Sequence, residues 1–112
     1  MKNIGLKSYC YLLLTLQMQI VTAEINGEQV YVRNCMVCHA DDGTGAMPGV
    51  ADLTKNRKWL SLTEAQLLAR LIEGIQTPGV SVTMPPRGGN PNLKDDDLRA
   101  VLFYMRNTFN KQ

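Results

Sequence analysis

The chain has 112 residues, 45% of them apolar, 20% charged and 6% aromatic, with a formal net charge of +2. This composition fits one small globular domain and excludes a disordered or collagen-like chain. No apolar run reaches the roughly 18 to 20 residues that span a bilayer, which excludes stable membrane insertion.

Residues 1–23 read as a secretory signal that is cleaved. Lys2 and Lys7 provide a basic start, Tyr11 to Val21 an apolar centre, and Val21-Thr22-Ala23 the small residues before a cut after Ala23. As a helix the centre would span about 16 Å, against about 30 Å of hydrocarbon. An ordinary amphipathic helix and an uncleaved anchor are the alternatives. Cys10 has Lys7, not leucine, three residues before it, which argues against a lipoprotein signal. Removing Lys2 and Lys7 leaves 24–112 with equal numbers of basic and acidic side chains, so nothing points to nucleic acid. A domain of this size is marginal on its hydrophobic core alone. A metal, a disulfide or a cofactor is expected to help hold it.

Within 24–112 there is no internal repeat. Glu24 to Cys38 reads as a first helix, with Val30, Tyr31 and Asn34 leading into Cys35. Asp41 to Asp52 is a loop, punctuated by Gly43, Gly45, Pro48 and Gly49. Ser61-Leu62-Thr63-Glu64 has the form of a capping box opening a second helix. Leu67, Leu68, Leu71 and Ile72 give that helix its apolar stripe, and Gly74 its C-terminal cap. Gln76 to Asn92 carries too many prolines and glycines for helix or strand. Asp95-Asp96-Asp97 suits the positive end of a last helix, and Leu98, Val101, Leu102, Met105 and Phe109 follow at helical spacing. No strand alternation stands out. The reading is all-α with long loops.

The chemistry is concentrated in Cys35-Met36-Val37-Cys38-His39, the C-x-x-C-H pattern of haem attachment. Cysteines three apart share one face of a helical turn, so both thiols can reach the two vinyl groups of one haem. His39 can then offer an axial nitrogen. Other readings stay open. A zinc site wants four ligands, and 24–112 holds only these three Cys and His residues. A disulfide or thioredoxin-like pair needs the two cysteines but gives His39 no role, and no βαβ pattern surrounds them.

Taken together, several motifs resemble a bacterial class I monohaem cytochrome c. They are Cys35-Met36-Val37-Cys38-His39, Asp41-Asp42-Gly43-Thr44-Gly45, Met84-Pro85-Pro86-Arg87-Gly88-Gly89, and the last helix from Leu93 to Tyr104. The resemblance covers nearly all of 24–112. It implies a small cytochrome c fold, with about three main helices and long loops around one covalently attached haem c, and electron transfer as the activity.

It also implies a methionine as sixth ligand on the loop before the last helix, which Met84 matches. Of the six methionines, Met1 and Met18 lie in the signal, Met36 lies inside the attachment motif, and Met105 has core spacing. Met47 is the remaining rival. Pro48 resembles the proline whose carbonyl accepts a hydrogen bond from the axial histidine, with a plain turn proline as the alternative. Gly27 and Tyr104 resemble the small-and-aromatic contact between first and last helices. Trp59 is read either as an N–H donor to a haem propionate or as a core tryptophan. Arg87, Lys55, Arg57 and Lys58 are candidates to offset propionate charge or to rim a docking face.

The expected activity is that of a soluble periplasmic one-electron carrier, with His39 and Met84 on the iron in both redox states. Methionine ligation raises the potential relative to a second nitrogen. Partners would be transient redox proteins (a dehydrogenase, reductase or oxidase) docking through small interfaces. A monomer is the expectation for so small a carrier. A haem peroxidase or gas sensor would need an open iron and a distal base, and no second histidine exists. A haem-free thiol or metal module is the third reading. A general shuttle and a dedicated accessory of one enzyme are not distinguished; the Thr77–Thr83 loop, with Pro78 before the expected ligand, is the feature that bears on it.

Overall fold

A computed structural model describes residues 23–110. Residues 1–22, which hold Cys10 and all but the last residue of the expected signal, lie outside the described residues. The described chain is helical: α1 is Gly27–Asn34, α2 Met36–His39, α3 Arg57–Leu60, α4 Glu64–Glu73 and α5 Asp95–Phe109. A 3₁₀ turn spans Pro86–Gly89, and the only β-type pairing among the described residues is an isolated antiparallel bridge between Ile75 and Met84.

The expected first helix is shorter than its apolar pattern suggested, and it is broken. It starts at Gly27 because the Asn26 side chain accepts from the amides of Glu28 and Gln29, at 3.0 and 3.3 Å. It stops at Asn34, where Cys35 (φ −110°, ψ −35°) interrupts the helix before the single turn of α2. The second correction concerns the capping box. Thr63, not Ser61, caps α4: its amide donates to Gln66 Oε1 at 2.9 Å, and its hydroxyl accepts from the Gln66 amide at 3.2 Å. Ser61 is engaged elsewhere, closing α3 with its hydroxyl on the Lys58 carbonyl at 2.8 Å. α3 carries no expectation from the sequence pattern.

The main packing is α1 across α5. A Cβ on Gly27 would lie 2.6 Å from the Ala100 carbonyl carbon and 3.1 Å from Tyr104 Cβ. Only glycine allows this approach. Beside the crossing, the rings of Tyr31, Tyr104 and Phe109 form a triad with centroids 5.2 to 6.1 Å apart. Leu98, Val101, Leu102, Met105 and Phe109 of α5 are all buried, as their spacing predicts, with Leu67 and Leu71 of α4 against them. Arg106 ties the two sides by donating to the Leu62 carbonyl at 2.6 Å. None of the described helices is long and apolar enough to cross a membrane.

The crossing generates a test. Gly27→Ala must push α1 away from the α5 backbone, and overpacking of this kind costs about 1–3 kcal/mol. Denaturant titration should show that loss, whereas an added methyl at the exposed Ser81, written Ser81→Thr, should leave stability unchanged within about 0.5 kcal/mol.

Candidate functional site

α1 carries the chain over α5 and ends beside a cavity, and α2 turns Cys35, Cys38 and His39 onto its wall. The cavity encloses about 750 Å³, part of it open to solvent. Met84, Val50, Val82 and Pro85 line it from the other loops. A narrower apolar recess continues behind it, reaching Leu98, Val101 and Met105 of α5. Cys35, His39, Met84 and Gly88 border both spaces, so the two are lobes of one site.

His39 is poised as a ligand. Its Nδ1 lies 3.2 Å from the Ala51 carbonyl oxygen, which only accepts. Nδ1 therefore carries the proton and Nε2 the lone pair. Burial holds the imidazole below the usual histidine pKa, against the opposing influence of the Ala51 carbonyl, so the ring is neutral. Both cysteines are free and half-buried. Burial pushes the Cys35 thiol up to about 11, with nearby Cys38 adding to the shift, so it stays protonated at neutral pH. The turn after His39 is anchored from below. Ala40 sits at φ 65°, a conformation side chains rarely adopt, and its carbonyl accepts from the Tyr31 hydroxyl at 2.6 Å. Burial, first, and the neighbouring Cys35, second, raise the Tyr31 pKa, which keeps that hydroxyl a donor.

Met84 is held by its backbone. Its amide donates to the Ile75 carbonyl at 3.0 Å, and its carbonyl accepts from the Ile75 amide at 2.9 Å. Gly74, the cap of α4 as expected, lies directly underneath. A Cβ there would come within 2.7 Å of the Met84 oxygen and 2.9 Å of the Pro86 nitrogen, and its φ of 81° is itself a glycine conformation. Met47, the rival thioether, is 45% exposed and lies off the cavity wall.

Pro48 loses its expected role, and of the two readings of Trp59 the core one holds. The Pro48 carbonyl is not the histidine's acceptor: Ala51 fills that place, because the loop turns at the exposed Pro48 and returns to His39 only three residues later. Trp59 does not face the cavity. It is buried, and its Nε1 donates to the Leu53 carbonyl at 2.9 Å, so its N–H is already used. Lys55, Arg57 and Lys58 are exposed, and none lines the site. Arg87 does border the inner lobe, but its guanidinium turns to Leu93 and Asp95.

Sequence reasoning did not single out Ala51, Ile75 or Asn90. Ala51 and Ile75 act through backbone groups, which any residue supplies. Asn90 donates to Asn34 Oδ1 at 2.9 Å, tying the end of α1 to the ligand loop across 56 positions, a pairing with no local signal.

The donor set fits the expected cofactor. Two free thiols, one imidazole lone pair and one thioether border a single mostly apolar space, which suits two covalent attachments and two axial bonds to one haem. A zinc centre gains no support, because among the described residues no three His, Cys, Asp or Glu side chains converge.

Comparison with known proteins points to one family. The family model described as cytochrome c matches residues 25–109. A cytochrome c-555 of Prosthecochloris aestuarii is 35% identical over 88 residues, covering 73% of this chain and 84% of that protein. A cytochrome c-555 of Chlorobaculum thiosulfatiphilum is 30% identical over 79 residues, covering 70% and 88%. No solved structure matches the chain significantly.

The core role of Trp59 is testable. Trp59→Phe strands the Leu53 carbonyl and should cost about 1–3 kcal/mol in denaturant unfolding. The visible spectrum and reduction potential should stay as in the parent protein. A shifted potential would return Trp59 to the cofactor.

Proposed function

The chain belongs to the cytochrome c family, and from that premise we propose that it is an exported, periplasmic one-electron carrier with His39 and Met84 as axial ligands. Members of this family bind haem c covalently and carry electrons; they are not enzymes. When bound, the haem supplies the one-electron ferric/ferrous couple. Cys35 and Cys38 anchor it through their sulfurs, His39 presents Nε2, and Met84 its thioether.

The observation that carries this reading is the shared cavity: His39 and Met84 border both of its lobes, each fixed by hydrogen bonds to backbone. Ligands held this way need not move when the charge on the metal changes, which suits a carrier. Thioether ligation favours the reduced state and raises the potential. A catalytic or gas-sensing site is less well supported, because among the residues lining the cavity His39 is the one acid–base side chain of the His, Asp or Glu type. Val37, 74% exposed between the two attachment cysteines, places an apolar rim at the mouth, where transient redox partners would meet the cofactor edge. The monomeric state and the periplasmic address belong to the same proposal, the address resting on Lys2, Lys7 and Val21-Thr22-Ala23.

Two measurements follow. In protein matured with haem, Met84→Ala should abolish the charge-transfer band of a methionine–iron bond and give a high-spin spectrum that carbon monoxide perturbs readily. Met47→Ala should retain the band. The reverse pattern would move the ligand to Met47. Mass spectrometry of the exported protein should find Glu24 as its first residue; a retained segment 1–23 would contradict cleavage.

A further inference from the structure

Arg87 occupies an unusual place. It lies three residues after Met84, in the 3₁₀ turn, with φ 54° and ψ 33°. Gly88 and Gly89 continue the left-handed run at φ 62° and 83°. Glycine or asparagine would take such a conformation readily, whereas arginine takes it at a cost. The side chain repays that strain through its reach. It borders the inner lobe of the cavity together with Cys35, His39 and Met84. Its guanidinium then donates from Nη1 to the Leu93 carbonyl and from Nη2 to Asp95 Oδ1, both at 2.8 Å. The charge is thus fixed at the start of α5. The arginine side chain is 26% exposed and its carboxylate partner 49%.

The rest of the inner lobe is almost wholly apolar, with Leu71, Leu93, Leu98 and Val101 on its wall. Among the described residues no polar or charged side chain is fully buried. Arg87 is therefore the one charged side chain among the residues that line this lobe, and Asp95 pairs with it from outside the lining. Oxidation adds one positive charge to the iron. A fixed cation beside the cavity opposes that change, and it is poorly screened where the wall is apolar. A carboxylate favours it, and the more exposed partner acts more weakly.

We propose that Arg87 and Asp95 form an electrostatic setting for the reduction potential: Arg87 raises it, and Asp95 partly offsets the rise. This rests on the haem carrier reading with Met84 as ligand. The pair also tethers the ligand loop to α5, and a tether alone would behave differently when cut. Cutting a tether from either end would loosen Met84 and lower the potential in both variants. Changing a charge moves the potential in opposite directions.

The experiment is a spectroelectrochemical titration of the full, haem-loaded protein at low and high salt. Arg87→Gln should lower the potential, and Asp95→Asn should raise it by a smaller amount. Arg87→Lys should fall between Arg87→Gln and the parent. All three should keep the methionine–iron band, and raising the salt should shrink both shifts. The Asn variant keeps Asp96 and Asp97 in the first turn of α5, so the helix start is preserved. If Arg87→Gln fails to mature, Asp95→Asn still decides. A lowered or unmoved potential in Asp95→Asn, with the parent's band intact, overturns this proposal and leaves the carrier reading standing. A parent protein without the methionine–iron band overturns both.

Discussion

The missing side chain at Gly27 sets the distance on which the rest of the molecule depends. α1 meets the Ala100–Tyr104 stretch of α5 backbone to backbone, at a separation that even one methyl would close. From that crossing α1 runs two turns and delivers Cys35 above the apolar face of α5, where Leu98, Val101 and Met105 form the inner wall of the cavity. The Tyr31–Tyr104–Phe109 triad packs beside the crossing and fixes its rotation. Had the helices stood farther apart, the attachment turn would have lost its register with the wall it faces.

The two ligand sides are built by different means. The histidine side is local. Its Nδ1 acceptor lies 12 positions away, and the next residue, Ala40, is held in an unfavourable backbone state by the hydroxyl of Tyr31, nine positions back. Such a conformation costs on the order of 1–3 kcal/mol, and a well-made hydrogen bond returns about 0.5–1.5 kcal/mol. The methionine side is assembled from the end of α4. There a glycine cap turns the chain so that Ile75 can pair with Met84 on both backbone bonds, and the prolines that follow stop the pairing from growing into a hairpin. Asn34 and Asn90 join the two sides across the cavity edge.

How much of this was legible in the sequence follows from what each feature uses. The attachment turn, α5 and the apolar stripe of α4 were read correctly because they rest on side-chain identity and spacing. Met84 was placed by resemblance, and the cavity brings it to the same walls as His39. Pro48 was read by resemblance as the histidine's acceptor and Trp59 as either a propionate donor or a core tryptophan, whereas the structure gives the acceptor role to a backbone carbonyl at Ala51 and engages the indole N–H on Leu53. Ser61 matched a capping pattern but closes the preceding turn.

A carrier needs a metal whose surroundings stay fixed while its charge changes, and this fold meets that need by separating two tasks. Position is set by groups indifferent to the redox state: the Ala51 carbonyl on the imidazole, the Ile75 backbone on the methionine, and glycines that permit close approach. Charge is left to Arg87 at the inner lobe, paired with Asp95 and anchored to the start of α5. Among the described residues no buried polar side-chain atom is left without a partner, so the walls have little to rearrange when an electron arrives. Substitutions in the positioning set should therefore disturb ligation and stability together. Substitutions in the pair should change the driving force while the ligands stay in place, which makes potential and coordination separately adjustable in one small domain.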